Sequence, residues 1–124
     1  ATSQLKHEET LVLLQSYRLA LKRCAHDFRE GIFGLLGWRV DMRGSRKEML
    51  WHLTSRLAPD AGELIFRLRP AEPGRHAEFD LLATPWGEQL VADRKAALYL
   101  EDQHSVPGFL AHVTTSLLTE ISAR

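Results

Sequence analysis

The chain contains a single cysteine, Cys24, which excludes an internal disulfide and favours a reducing compartment. It also lacks net charge, with 16 basic and 16 acidic residues, so no overall field would attract nucleic acid, an anionic membrane or an acidic substrate. No apolar run is long enough to cross a bilayer, and we expect neither a signal peptide nor a membrane span. Proline is absent before Pro59 and glycine before Gly31, so neither residue interrupts a helix at the start of the chain.

An apolar seam with a seven-residue repeat runs through this uninterrupted segment. Its members follow alternating steps of three and four residues, broken only by Arg18: Leu11, Leu14, Leu21, Ala25, Phe28, Ile32 and Leu35. A helix cannot bury such a seam alone, so residues 1–36 are predicted to form the coiled-coil stem of a parallel homodimer. The alternative is an amphipathic helix on its own domain, which fits residues 25–36 but leaves residues 11–21 overhanging. We expect the chain to be the end of a longer protein whose coiled coil begins upstream.

Gly37 is predicted to end this helix, because glycine readily adopts the left-handed conformation common at helix ends. Apolar and polar residues then alternate, which predicts strands with one buried side. Four such segments are separated by turn-forming or polar residues; they begin at Trp38, near Trp51 (running to Leu57), at Leu64, and at residues 77–83 with Phe79 and Leu81 inward. Short connections require antiparallel neighbours, so we predict a four-stranded meander.

Two helices are predicted to follow the strands. Thr84 and Pro85 begin the first, which is expected to continue to about Gln103. Its predicted buried stripe consists of Trp86, Leu90, Val91, Ala97 and Leu98. Pro107 begins the second, whose predicted apolar side consists of Leu110, Val113, Leu117 and Ile121. The predicted fold class is therefore α+β, with a stem at residues 1–36 and a head at residues 37–124 as one structural unit.

No constellation of residues predicts catalysis or a cofactor. The six histidines are scattered without ligand spacing, which favours surface or half-buried roles over a metal site: His7, His26, His52, His76, His104 and His112. No phosphate-cradling or nucleophile motif occurs, and we expect no small-molecule substrate. Cys24 lies in mid-helix at a partly apolar position, so packing explains it better than nucleophilic chemistry.

Basic residues cluster on the stem at Arg18, Lys22, Arg23 and Arg29. Arg18 and Lys22 are four residues apart and share a helix face, which suits a phosphorylated or acidic peptide. The simpler interpretation is a solvated coiled-coil flank. Nucleic acid is a poorer candidate, because acidic residues border the cluster. Arg18 also occupies a seam position, where a polar residue can fix register and oligomeric state.

Hydroxyl groups near the end of the chain form a second candidate site. Residues 119–124 include Ser122, and an exposed hydroxyl near a terminus is readily reached by kinases. The alternative interpretation of this segment is simple fraying of the chain end.

Several short segments, in order along the chain, resemble one known family. They are Asp27-Phe28-Arg29-Glu30, Leu35-Leu36-Gly37-Trp38-Arg39-Val40-Asp41, Leu53-Thr54-Ser55, and Ser105-Val106-Pro107-Gly108-Phe109-Leu110 with Thr114. Together they resemble the C-terminal domain of the spindle-checkpoint family called mitotic arrest deficient, member one. The resemblance covers residues 17–124 and implies a parallel homodimer with a coiled-coil stem and an RWD-like head.

The resemblance also implies partners and a location. It implies a nuclear protein that acts as a scaffold at unattached kinetochores in mitosis, and a stem motif, Arg-Leu-Lys, that binds a phosphorylated checkpoint kinase. That motif aligns with Ser16-Tyr17-Arg18, and the nearest literal match is Arg18 with Leu19 or with Lys22 one turn on. The family's phosphorylated threonine, which engages the anaphase-promoting-complex activator, aligns with Ser122. No segment matching the family's upstream site for its HORMA-domain partner is present.

RWD heads resemble ubiquitin-conjugating enzymes, whose thiol lies in a loop beside the sheet. Cys24 lies in the predicted stem instead, so we predict no enzymatic activity. The hypothesis is a non-catalytic dimeric adaptor of the spindle checkpoint. The alternative is a structural cap that ends a long coiled coil and recruits no partner.

Overall fold

The fold consists of one long helix, a four-stranded sheet and three C-terminal helices in the part of the chain that a computed structural model describes, residues 2–74 and 77–124. Helix α1 (Thr2–Leu36) is followed by β1 (Trp38–Gly44), β2 (Met49–Ser55), a 3-10 turn (Pro59–Ala61), β3 (Leu64–Arg69), β4 (Glu78–Leu81), α2 (Pro85–Val91), α3 (Arg94–Glu101) and α4 (Val106–Ala123). This confirms the predicted α+β class. The end of the predicted polar loop, with His76, lies outside the described residues.

Helix α1 ends at the predicted position because Gly37 adopts a left-handed backbone conformation, with φ of 76°. Its N–H donates to the carbonyl of Phe33 at 3.0 Å and closes the last turn of the helix. The carbonyl of Gly37 accepts the N–H of Arg56 at 2.9 Å. Gly37 therefore joins the end of α1 to both β1 and the segment after β2.

The strands form an antiparallel sheet in the order β1-β2-β3-β4, which confirms the predicted meander. Trp38 lies opposite Ser55, and Phe66 lies opposite Leu81, so the alternating apolar side chains of all four strands share one face. Strand β2 ends at Ser55, earlier than the predicted position of Leu57. The N–H of Leu57 instead donates to the Ser55 hydroxyl at 3.1 Å, which turns the chain away from the ladder.

The core lies between this apolar face and the C-terminal helices. Its buried members are Trp38, Leu53, Leu64, Phe66, Trp86, Ala96, Phe109 and Val113. The rings of Trp38 and Trp86 stack with centroids 6.0 Å apart, which joins β1 to α2. Leu110 and Leu117 of α4 pack against the same core. Ile121, predicted on that side, is 47% exposed, like every residue of α4 after Leu117.

The single helix predicted from Pro85 to Gln103 is two helices. Helix α2 ends at Val91, and the Asp93 carboxylate accepts the N–H of Lys95 at 3.1 Å to begin α3. An aspartate that binds nearby backbone N–H groups favours a new helix start over helix continuation. As a result Val91, predicted to be buried, is 36% exposed.

The other face of the sheet carries the last turns of α1. Arg29 forms an ion pair with Asp41 of β1 at 3.0 Å, and the Arg39 guanidinium lies 4.5 Å from the centre of the Phe33 ring. Glu30 lies 3.8 Å from Arg39. These contacts attach the stem to the outer face of β1, opposite the helices of the core.

Candidate partner-binding surfaces

The apolar seam of α1 is largely uncovered by the residues that the structure describes. Ile32 is half-buried, and the other six seam residues are exposed; Phe28 is 69% and Leu35 is 85% exposed. In α1, only Gly31, Ile32 and Phe33 are half-buried among the residues whose burial is described. The alternative of a helix lying on its own domain therefore describes residues 31–33, and the rest of the seam is exposed.

The stem residues predicted to bind a phosphopeptide are exposed on one stretch of α1: Ser16, Tyr17, Arg18, Leu19 and Lys22. Their side chains form no hydrogen bond or ion pair with other described residues. Arg29, counted with this cluster from its sequence, instead pairs with Asp41 and holds the stem to the sheet. The basic surface that remains available consists of Arg18, Lys22 and Arg23.

Ser122 lies in the last turn of α4 and is exposed. The segment is helical up to Ala123. Leu118 and Ile121 are also exposed, at 49% and 47%, and place apolar surface beside the hydroxyl. The end of α4 therefore presents a hydroxyl and two apolar side chains together.

The histidines are placed as predicted wherever they are described. His7, His26 and His104 are exposed, while His52 and His112 are half-buried. The two half-buried rings pair with single carboxylates: His52 with Glu63 at 3.0 Å, and His112 with Asp93 at 3.4 Å. Within residues 2–74 and 77–124, no three histidine, cysteine or acidic side chains come together as metal ligands.

Cys24 is exposed on α1, so the packing predicted for it is not formed with any part of the chain that the structure describes. It lies in the stem, in the part of α1 whose residues are all exposed.

Among the helices of the described chain, none has both the length and the apolarity of a membrane span.

A groove beside β4 was not predicted from the sequence. Its volume is about 530 Å³, and all of residues 77–83 line one side, while α2, α3 and the start of α4 line the other. One sequence feature could have indicated the groove: the fourth predicted strand is the last of a meander and therefore has one open edge. The acidic residues of the groove belong to three separate elements, β4, α2 and α3, and gave no comparable signal.

A family model described as mitotic checkpoint protein matches residues 14–120, which include most of α1, the whole sheet and almost all of α4. The chain belongs to the mitotic checkpoint protein family. This confirms the resemblance to the C-terminal domain of mitotic arrest deficient, member one. No curated protein and no solved structure is significantly similar to the chain.

The segments that carry the family resemblance have structural roles in this mitotic checkpoint protein. Residues 35–41 form the junction between α1 and β1. Ser105 caps α4 by accepting the N–H of Gly108 at 3.0 Å, and the Thr114 hydroxyl accepts the indole N–H of Trp38 at 3.2 Å. These segments therefore specify the fold of the mitotic checkpoint domain, while the candidate binding residues lie on its surface.

Proposed function

We propose that this mitotic checkpoint protein is a non-catalytic, dimeric scaffold of the spindle assembly checkpoint. In this proposal residues 1–36 form a parallel coiled-coil stem and residues 37–124 form an RWD-like head. The observation that carries it is the open seam of α1, since an apolar stripe of this length is not normally left in water. Family membership supports the role in the checkpoint, and with it a nuclear location and recruitment to kinetochores in mitosis.

Pairing would place two copies of the basic stem surface side by side. Arg18 and Lys22, with the neighbouring Ser16, Tyr17 and Leu19, would then bind a phosphorylated segment of a checkpoint kinase. Guanidinium and ammonium groups form charge-assisted hydrogen bonds with phosphate, which are about twice as strong as neutral ones. The exposure of all five side chains on one stretch of helix supports this role.

Ser122 would act as the second docking element after phosphorylation. A phosphate there adds a charge of about −1.5 to −2 next to the exposed Leu118 and Ile121. That combination suits a partner segment with both basic and apolar residues, and we assign it to the anaphase-promoting-complex activator. The proposed partners do not include nucleic acid, a membrane or a small molecule.

Calorimetry with a phosphorylated peptide of the checkpoint kinase tests stem recognition. We expect binding by the natural chain and about tenfold or weaker binding by Arg18→Glu, because one charge-assisted contact becomes repulsive. Lys47→Glu is the matched control, since it makes the same charge reversal in the exposed turn before β2. Equal affinities for both variants, or equal affinity for the unphosphorylated peptide, would refute the stem site.

The alternative function is a structural dimerisation cap without partner recruitment. The same open seam favours it, since pairing alone would bury that surface. This alternative predicts that Arg18→Glu leaves the kinetochore recruitment of checkpoint partners unchanged. The scaffold proposal predicts its loss, so imaging of that recruitment separates the two functions.

A further inference from the structure

Strand β4 has one open edge. It pairs with β3 on one side, and among the described residues no strand pairs with its other side. An open edge presents unpaired N–H and C=O groups that can bind an additional strand. The groove of about 530 Å³ lies along residues 77–83, so this edge faces a space that can hold a chain segment.

The ladder alternation identifies which backbone groups point into that space. The N–H of Leu82 donates to the carbonyl of Ile65 at 2.8 Å, so Leu82 belongs to a hydrogen-bonded pair with β3. In an antiparallel ladder such pairs alternate, and Asp80 therefore also points its backbone groups at β3. The N–H and C=O groups of Phe79 and Leu81 point away from β3, toward the groove.

The walls of the groove are partly apolar. Leu81 packs against the core, and Leu100 of α3 and Val106 of α4 line the opposite side. Phe79 and Val91, which are both 36% exposed, extend this apolar lining to the surface. A segment lying along β4 could therefore bury alternate side chains against this lining, as added strands do.

The charge of the groove is predominantly acidic. Glu78, Asp80, Glu88 and Glu101 contribute four carboxylates to its lining, and Arg69 contributes one guanidinium. Arg69 bonds both Glu78 and Asp80 at 2.8 Å, so a single positive charge is shared between two carboxylates. Glu88 and Glu101 form no ion pair with another described residue. The groove is complementary to a cationic partner.

We propose that this groove binds an extended segment of a partner protein in which Lys or Arg alternates with apolar residues. The segment adds to the sheet as a fifth strand by hydrogen bonding to the backbone of Phe79 and Leu81. Its apolar side chains contact the groove lining, and its basic side chains pair with Glu88 and Glu101. This surface is separate from the stem and from Ser122, so it supplies a third docking element on the head.

A library of synthetic hexapeptides, in which Lys or Arg alternates with Val, Ile, Leu or Phe, tests the proposal by amide NMR of the whole chain. We expect members of the library to shift the amide resonances of Phe79 and Leu81 and to slow their hydrogen exchange. Methylation of alternate backbone nitrogens in a bound peptide should abolish these effects, because it removes the N–H groups that pair with β4. If no peptide shifts these resonances, or if methylation has no effect, strand addition is wrong.

The charge contribution is tested with a double reversal, Glu88→Lys with Glu101→Lys. We expect it to weaken peptide binding about tenfold, since two exposed attractive contacts become repulsive. The matched control is Glu8→Lys with Glu120→Lys, which makes the same charge change at exposed positions outside the groove. Amide spectra report whether each variant keeps its fold. Equal loss of affinity in both double variants would mean that net charge, and not the groove, attracts the peptides.

Discussion

The indole N–H of Trp38, at the start of β1, donates to the hydroxyl of Thr114 in α4 at 3.2 Å. Trp38 is 3% exposed, so its N–H cannot turn to water if the hydroxyl is lost. The Thr114 hydroxyl in turn donates to the carbonyl of Leu110 at 2.9 Å. This pair joins the first strand to the last helix, which are far apart in the sequence.

Removal of the Thr114 hydroxyl should destabilise the head. In Thr114→Val the side chain keeps its shape, but the buried N–H of Trp38 loses its acceptor, and we expect about 1–3 kcal/mol less stability. Urea denaturation at fixed protein concentration measures this loss. Thr115→Val is the matched control, because its hydroxyl is exposed and, among the described residues, bonds only the carbonyl of Ala111. Equal destabilisation by the two substitutions would contradict the proposed importance of the Trp38 contact.

Two glycines three residues apart should respond to alanine with opposite signs. Gly37→Ala forces a Cβ into a left-handed conformation and should cost roughly 1 kcal/mol of stability. Gly34 lies inside α1 with no atom within 4 Å of an added Cβ, so Gly34→Ala should stabilise the helix by about 0.5–1 kcal/mol. Thermal unfolding of both variants checks the prediction. A shift of the same sign in both would show that backbone conformation at Gly37 is not what ends α1.

The Asp93 carboxylate should contribute to stability through its cap on α3. Asp93→Ala removes the bond to the N–H of Lys95 and the contact with His112, and should cost about 1 kcal/mol. Asp102→Ala at the other end of α3 is the control, with an expected change within about 0.5 kcal/mol. Urea denaturation compares the two. If Asp93→Ala is as mild as the control, the separation of α2 from α3 has another cause.

The seam should control self-association of the chain. Phe28 and Leu19 are similarly exposed, at 69% and 64%, but only Phe28 lies on the seam. Phe28→Lys should therefore dissociate the proposed dimer, because a charge would enter the apolar contact, whereas Leu19→Lys should leave it intact. Sedimentation velocity measures the outcome against the chain mass of 14.1 kDa. Natural chain that sediments as one copy at micromolar concentration would contradict the dimer itself.

Local signals in the sequence were sufficient for the elements of the sheet and for the end of α1. One signal is the alternation of apolar and polar residues around Trp38 and Leu53, and the other is the backbone freedom of Gly37. Both act over a few residues and do not depend on the rest of the fold. The break between α2 and α3 was missed because no glycine or proline marks it. The sequence does not mark Asp93 as a helix start. Its role depends on the hydrogen bond that its carboxylate accepts from the N–H of Lys95 in the folded chain.

The binding surfaces were only partly predictable. The stem residues around Arg18 were found because helical spacing places them on one face without any tertiary contact. Arg29 does not belong to that cluster, because it pairs with Asp41 of β1. This contact depends on the change of chain direction at Gly37, between α1 and β1. The groove beside β4 could not be found from the sequence, because it depends on where α2 and α3 pack against the sheet.

The weak attachment of α1 has a further consequence. A helix of 35 residues extends for about 50 Å, yet among the side chains that the structure describes only Arg29 and Glu30 form ion pairs between it and the sheet. Helices without tertiary packing are only marginally stable in water, so most of α1 would be weakly helical in a monomer. In the proposed dimer, folding of α1 would then be coupled to association of the two chains. Dilution would remove the helical surface around Arg18 while residues 37–124 stayed folded.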